Sequence, residues 1–375
     1  MMTLPMHDLI EALLDQVIAE AAEGHFYTGG QLYVSVAGQP IVDLAVGVDA
    51  LGRPVRTDTL FALYCAGKPV VATAVGCLIE DGELSLHDRV GDIVEDLDLG
   101  GTADLLVGEL LNHTAGLHLI NARHYLLCSE RHRDELVAGC PRPRGWRTGA
   151  DVAYSEVAAW HVLGWVINAL AGETTRSLLR RRVLEPLQLD NDLFVAGMDD
   201  DTFATVRGRL GINIWLAGIR SDPLLIEQTR RFRCTPNLAL GTTGSAQSLG
   251  RFYDGLRAIA SSHGGGAQDV VLSMQTIRLL TTASSHGFDP IMQRECGYAS
   301  GFMVGLEEHF FGRRCGPDAF GHSGNGGMTA ALCDPARDLV IAFHFNGRVD
   351  AESAVMFRRP ALLERIYSAV LDAGG

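Results

Sequence analysis

The hydrophobic period changes twice along this chain, and the order of those changes limits the folds open to it more than any other feature. Residues 31–36 and 41–46 are short strand-like runs separated by Ala37, Gly38, Gln39 and Pro40, a hairpin signal. Before them, 8–22 reads as a helix, with Leu9, Ile10, Leu13, Leu14, Val17 and Ile18 at helical spacing. Helical spacing returns over 69–80 through Val70, Val71, Ala74, Val75, Leu78 and Ile79, and Asp81-Gly82 closes that helix. The middle, 84–286, is mostly helical and loop-like, with helices expected over 157–171 and 178–187. Strand patterns then reappear at 300–304, 328–333 and 339–345, followed by a helix over 351–370. Strands at both ends with helices between predict an α+β fold, an antiparallel sheet made by the two termini and flanked by helices. The expected organisation is a discontinuous sheet domain, 1–84 and 287–375, and an inserted, mostly helical domain, 85–286, with the active site between them.

Composition narrows the function. With 47% apolar and 20% charged residues over 375 positions the chain has ample material for a core, which excludes disorder as its main state. A net charge of -14 opposes phosphate backbones and anionic lipid, so neither nucleic acid nor a membrane is an expected partner. The first residues lack the basic start and apolar core of a secretory signal, and no run reaches the length that spans a bilayer, so a cytoplasmic protein is expected. Eight cysteines, at 65, 77, 128, 140, 234, 296, 315 and 333, include no C-x-x-C pair, which predicts reduced thiols and no metal site. No cofactor is expected.

The most informative stretch runs from Thr59 to Pro69. Cys65 stands at the start of the apolar helix, in the field of unpaired N–H groups, and Lys68 follows on the same face. Thiolate and ammonium at such a position stabilise each other, so Cys65 is expected to be ionised more readily than an ordinary thiol. The plainer alternative is that Cys65 is one more small buried apolar residue.

The flanking text closely resembles the serine β-lactamase-like superfamily of class C β-lactamases, DD-peptidases and esterases. There S-x-x-K precedes a helix, then G-x-L-x-L-x-D and L-L-x-H-x-S-G-L; here the segments are Cys65 to Lys68, Gly82 to Asp88 and Leu110 to Leu117. The family's Y-x-N corresponds to Tyr154, Ser155 and Glu156, and its K-T-G or H-x-G strand motif to His322, Ser323 and Gly324. The run from Gly241 to Tyr253 resembles the segment before a late helix in the esterase branch, and the likeness extends over about 8–370. Two positions depart from the pattern: Cys65 replaces the serine, and Glu156 replaces the asparagine that helps lactamases hold the substrate amide.

The resemblance implies a β-lactamase/transpeptidase-like architecture and a division of roles. Cys65 is the nucleophile, Lys68 the cation that keeps it ionised, and Tyr154 the acid/base for leaving group and acceptor. The oxyanion hole is expected at the N–H groups of Cys65 and Asn325, and substrate contacts at His322, Ser323, Gly324 and Glu156. Glu156 is open to three readings: it attracts an amine, pairs with Lys68, or faces solvent.

Sulfur chemistry adds a step that needs no alignment. A thioester acyl-enzyme prefers amines over water more than an oxygen ester does, provided the pocket excludes water. The leading expectation is therefore an ATP-independent, cysteine-dependent acyltransferase making an amide or ester, similar to the β-lactamase-fold transacylases of antibiotic biosynthesis. Its partners would be a small-molecule acyl donor and a small amine or alcohol acceptor. The alternatives are a thiol-dependent carboxylesterase or amidase, and a non-catalytic ligand-binding homologue. Arg123, Arg131, Arg133, Arg142, Arg144 and Arg147 form a basic cluster that either steers an anionic substrate or is a solvated loop. Trp146, Trp160, Trp165 and Trp215 either line an acyl pocket or pack the core.

Overall fold

Strand β1 (Gly29–Val36) turns through Ala37 and Gly38, both at positive φ, into β2 (Gln39–Gly47), pairing Val34 with Val42 and Leu32 with Leu44. On its other side β1 pairs with a strand from the far end of the chain: Gly30 lies opposite Phe345 and Val36 opposite Leu339. This computed structural model describes residues 16–17, 19–20, 26–95, 97–217, 220–260, 271–349 and 352–373. The helix expected over 8–22 falls mostly outside the described residues.

The later strands are β3 (Ser285–Asp289), β4 (Arg294–Tyr298), β5 (Met303–Val304), β6 (Phe320–Gly324), β7 (Thr329–Asp334) and β8 (Leu339–Phe345). They complete an eight-stranded antiparallel sheet of order β2-β1-β8-β7-β6-β5-β4-β3. Every residue of β7 and β8 is buried, so the centre of the sheet is covered on both faces.

Five helices matter for the site: α1 (Lys68–Glu80), α2 (Ala158–Ala171), α3 (Ala246–Ala260), α4 (Met274–Thr281) and α5 (Glu352–Ala373). Helix α1 starts with Pro69 in its first turn, where a missing N–H costs nothing, and is buried without interruption from Lys68 to Leu78. A helix apolar on all sides belongs in the interior. Gly76 lets it approach Leu280 of α4, and Ala72 abuts Gly301 before β5. Helix α3 lies on the face of the sheet that carries Tyr33. The Tyr33 hydroxyl and Ser35 Oγ both donate to Asp254, at 2.8 and 2.6 Å. On the opposite face, Tyr367 of α5 donates to buried Asp334 at 3.0 Å.

Several elements differ from the sequence reading. Helices α3 and α4 lie within 85–286, yet α3 packs on the sheet and α4 on α1. The strand expected over 300–304 shortens to two residues, because Gly301 (φ 85) bends the chain against Ala72. The helix expected over 178–187 is a short one, Thr175–Leu179, that widens into a π turn over Arg180–Leu184. Strands β3 and β4 carry too many polar residues to stand out by period. Among the described residues no helix is long and apolar enough to cross a membrane.

The closeness of α3 to the sheet is testable. A Cβ on Gly250 would lie 2.2 Å from the Tyr33 ring, whereas Gly208 has nothing within 4 Å. Gly250→Ala is expected to lose about 1–3 kcal/mol of stability in urea unfolding, as overpacked cores do. Gly208→Ala should change little.

Candidate active site

The nucleophile turn is held from three directions. Phe61–Ala62 pairs with Thr243–Gly244, and the chain then passes Tyr64 in the left-handed region (φ 51) into a 3-10 turn, Tyr64–Gly67, that continues as α1. Gly67 is required there: a Cβ would sit 1.9 Å from Thr242 Oγ1. Gly324 at the end of β6 is equally confined, 2.3 Å from Leu63 O and 3.0 Å from Ala66 N for an added Cβ. The strand motif thus rests directly on the turn that carries Cys65. Beyond it Asn325 takes φ 47, so its N–H belongs to the tight turn that begins where β6 meets the nucleophile turn.

Lys68 is fully buried and Cys65 is 5% exposed. The Lys68 amine donates to Tyr154 Oη at 2.7 Å, to Glu156 O at 2.9 Å and to Ser155 O at 3.3 Å. It also lies 4.3 Å from the centre of the Tyr154 ring and 5.1 Å from that of Trp160. The structure therefore brings Cys65, Lys68 and Tyr154 together.

Tyr154 sits in the loop before α2, and that loop is fixed by side chains the sequence reading did not assign. Its N–H donates to Asp289 Oδ2 at 2.9 Å, which also accepts from Tyr298 Oη at 2.7 Å. The other Asp289 oxygen accepts from Ile291 N and Met292 N. His113, at φ 62, accepts from Ser155 N through Nδ1 at 3.0 Å and from Ala153 N through its own carbonyl. Ser155 Oγ in turn accepts from Ala159 N, opening α2. His113 was visible in the segment from Leu110 to Leu117; nothing in the sequence marks Asp289 or Tyr298, which reach the loop only through the sheet.

Burial governs the electrostatics. It pushes the Cys65 thiol above its ordinary value, with the charge of Lys68 pulling the other way, and it pulls the Lys68 amine below its ordinary value. The expected resting thiolate is accordingly replaced by a resting thiol beside an amine that gives up its proton more readily than a surface lysine. The cause is desolvation, which outweighs the attraction between the two groups. Burial and the neighbouring Cys65 keep the Tyr154 phenol well above its ordinary value, so it retains its proton. His113 and His322 are held well below the usual histidine range by burial and then by Lys68, hence neutral.

The strand motif divides its residues between two faces. His322 is buried with its ring 6.0 Å from that of Tyr154; Nδ1 lies 2.7 Å from Ser323 O, and Nε2 is buried without a partner. Ser323, one position on, points to the other face, with Oγ 3.9 Å from Met303 Sδ. Gly324 serves by its lack of a side chain. Glu156 is exposed, and Lys68 bonds to its main-chain carbonyl.

A buried chain of polar groups backs the turn from the other side. Tyr64 Oη donates to Glu227 at 2.5 Å, and Glu227, fully buried, accepts from Asn213 N and Nδ2. Asn213 Oδ1 lies 2.9 Å from His344 Nε2, and His344 Nδ1 lies 2.8 Å from Thr329 Oγ1 on β7.

An antiparallel sheet, a helix preceded by Cys65 and opened by a buried lysine, and a tyrosine bonded to that lysine are the features that the family comparison bears on. The Beta-lactamase family profile matches residues 14–364, so the chain belongs to that family. Esterase EstB of Burkholderia gladioli is 27% identical over 287 residues, 66% of this chain and 70% of that protein. Esterase/beta-lactamase LipL of Mycobacterium tuberculosis is 27% identical over 183 residues, and the chain spans only 42% of that relative's length. Among solved structures, a penicillin-binding protein homologue from Caulobacter crescentus superposes with a TM-score of 0.77 at 22% identity, over 97% of each chain. EstCE1, described as a hydrolase with promiscuous acyltransferase activity, gives 0.74 at 19%, over 97% of this chain and 98% of its own. These likenesses establish the β-lactamase/transpeptidase-like fold.

The ionisation of Cys65 can be read by alkylation. Its rate with iodoacetamide should rise with pH at a midpoint above that of an exposed cysteine, because the folded protein favours the thiol. Lys68→Met removes the opposing charge and should move the midpoint higher still. A midpoint below that of a free thiol would contradict the electrostatic assignment.

Proposed function

We propose that the chain is an esterase-type hydrolase that works through an acyl-Cys65 intermediate. The observation that carries this reading is the buried Lys68 amine, bonded to Tyr154 Oη at 2.7 Å and close enough to Cys65 that each shifts the ionisation of the other. A binding pocket alone has no use for a desolvated amine between a thiol and a phenol, since burying it is costly. The esterase relatives support the same reading.

In the proposed reaction Lys68 takes the Sγ proton as sulfur bonds to the substrate carbonyl carbon, and the carbonyl electron pair moves to oxygen. The N–H groups of Cys65 and Asn325 hold that oxyanion, each such donor contributing about 3 kcal/mol. As the carbonyl re-forms, the bond to the leaving oxygen breaks. That oxygen takes the Tyr154 proton, which Lys68 replaces, so the thiol proton ends on the leaving group and Lys68 is again neutral. Water then repeats the sequence against the thioester, giving one proton through Tyr154 and Lys68 back to sulfur. Neutral His322, with Nε2 free to accept, is suited to a donor on the substrate.

Sulfur at the nucleophile position favours a second reading, transfer of the acyl group to a small amine or alcohol. Thioesters discriminate in favour of amines, and the burial of Cys65 restricts water. EstCE1, a hydrolase with promiscuous acyltransferase activity, joins the same two activities in one protein of this fold.

With p-nitrophenyl acetate as donor, intact mass should reveal one acetyl group on Cys65, and Cys65→Ala should lose the adduct and turnover by on the order of a thousandfold or more. Unchanged turnover in that variant would exclude the acyl-enzyme reading. The rate of acylation should climb with pH through a midpoint below the ordinary lysine value, since the active form has lost the Lys68 proton and its pKa is lowered. Partition decides the acceptor: with a primary amine added, a rising ratio of amide to acid favours transfer, and Cys65→Ser should shift product toward the acid. Exclusive hydrolysis at saturating amine would eliminate the second reading.

A further inference from the structure

From Val152 to Trp160 the chain that carries Tyr154 into α2 is buried at every residue but one, Glu156. The Glu156 carbonyl accepts from the Lys68 amine at 2.9 Å, whereas its side chain is exposed, so this residue runs from the catalytic amine to solvent. Its carboxylate makes no hydrogen bond or ion pair among the described residues, and in particular none with Lys68. An unpartnered carboxylate is ordinary on a surface. The position sets this one apart, because it stands where the buried site opens to water.

The charge of Glu156 reaches the site. Burial is the largest influence on the ionisation of Cys65, Lys68 and Tyr154, and the Glu156 carboxylate acts on all three, in each case opposing loss of the proton. The thiol and the phenol keep their protons and burial favours the neutral amine, so the carboxylate leaves this opening negative. The whole chain, at -14, adds to the same sign. A group carrying positive charge is drawn to such an opening, and one carrying negative charge is repelled.

We propose that Glu156 selects esters whose leaving alcohol carries an ammonium group, by pairing its carboxylate with that cation. The assignment rests on the acyl-Cys65 reading above and names a substrate class for it. Tyr154 hands its proton to the leaving oxygen in that reaction, so the leaving alcohol lies beside Tyr154, and Glu156 is two residues along the same loop. The acyl portion, on the other side of the carbonyl carbon, is left without a charge requirement.

Acetylcholine and 3,3-dimethylbutyl acetate differ by nitrogen against carbon at one atom and deliver the same acetyl group, so they compare leaving alcohols alone. The measurement is kcat/KM for each with the full chain, divided by that ester's own rate in alkali to remove the intrinsic effect of the ammonium group. Acetylcholine is expected to be preferred about fivefold, the upper end of what a partly solvated ion pair contributes. Raising NaCl to about 1 M should shrink the preference, because the Debye length then falls to about 3 Å. Glu156→Gln keeps the main-chain bond to Lys68 and should abolish the preference. Equal or poorer use of acetylcholine by the unmodified protein would overturn the proposal. So would a ratio unchanged in Glu156→Gln, the result expected if the carboxylate acts only on Cys65 and Lys68 and therefore on both esters alike. p-Nitrophenyl acetate keeps the two readings apart. Acetyl-Cys65 formed from it, with no preference for acetylcholine, removes the charge selection alone; no acetyl-Cys65 from any of the three esters removes the acyl-enzyme reading and this one with it.

Discussion

The burial of one amine organises this protein. Lys68 is removed from water, and among the described residues it has no carboxylate within ion-pair distance; its three acceptors are the Tyr154 hydroxyl and the carbonyls of Ser155 and Glu156. Charge is costly in such a setting, which favours the neutral amine, and a neutral amine beside a thiol is a base. That desolvation is what pulls the Lys68 amine below its ordinary value. It needs the sheet below, α1 carrying the residue, and the Tyr154 loop above to be closed together.

Three of the nine non-glycine residues at positive φ among the described residues belong to the segments around that amine, and each is supported. Tyr64, His113 and Asn325 all take positive φ, a conformation that non-glycine residues adopt only when their surroundings enforce it. Each has an identifiable holder. Tyr64 is tied through its hydroxyl to Glu227 and onward through Asn213 and His344 to β7; His113 is clamped to the main chain of Ala153 and Ser155; Asn325 follows the glycine that β6 presses onto the nucleophile turn. Burial raises the Glu227 carboxyl above its usual range, and the charge of buried Arg233 works against that shift. The polar chain therefore joins the turn to the sheet through groups that are bonded throughout, which is what a buried network requires to add rigidity.

Much of this was legible from residue order. Periods of two and 3.6 marked β1, β2, β7, β8, α1, α2 and α5, because each shows a clean apolar pattern to a neighbour. The motif residues Cys65, Lys68, Tyr154 and His322 stood out through their flanks. The strands β3 and β4 did not: β3 is the edge strand, with exposed polar positions, and β4 beside it begins with two polar residues before the buried run from Cys296 to Tyr298. Asp289, Tyr298 and Glu227 escaped for a different reason, since each acts on residues more than a hundred positions away or through a partner that only pairing in the sheet brings near.

The sequence by itself determined most of the elements, their order along the chain and the thiol that stands at position 65, because these depend on local pattern and on side-chain type. Only the tertiary structure decided the desolvation that raises the Cys65 thiol and lowers the Lys68 amine, and the burial of Arg133 among its exposed neighbours. Both depend on how much water is excluded from a given atom, and exclusion is a property of packing between segments distant in the chain.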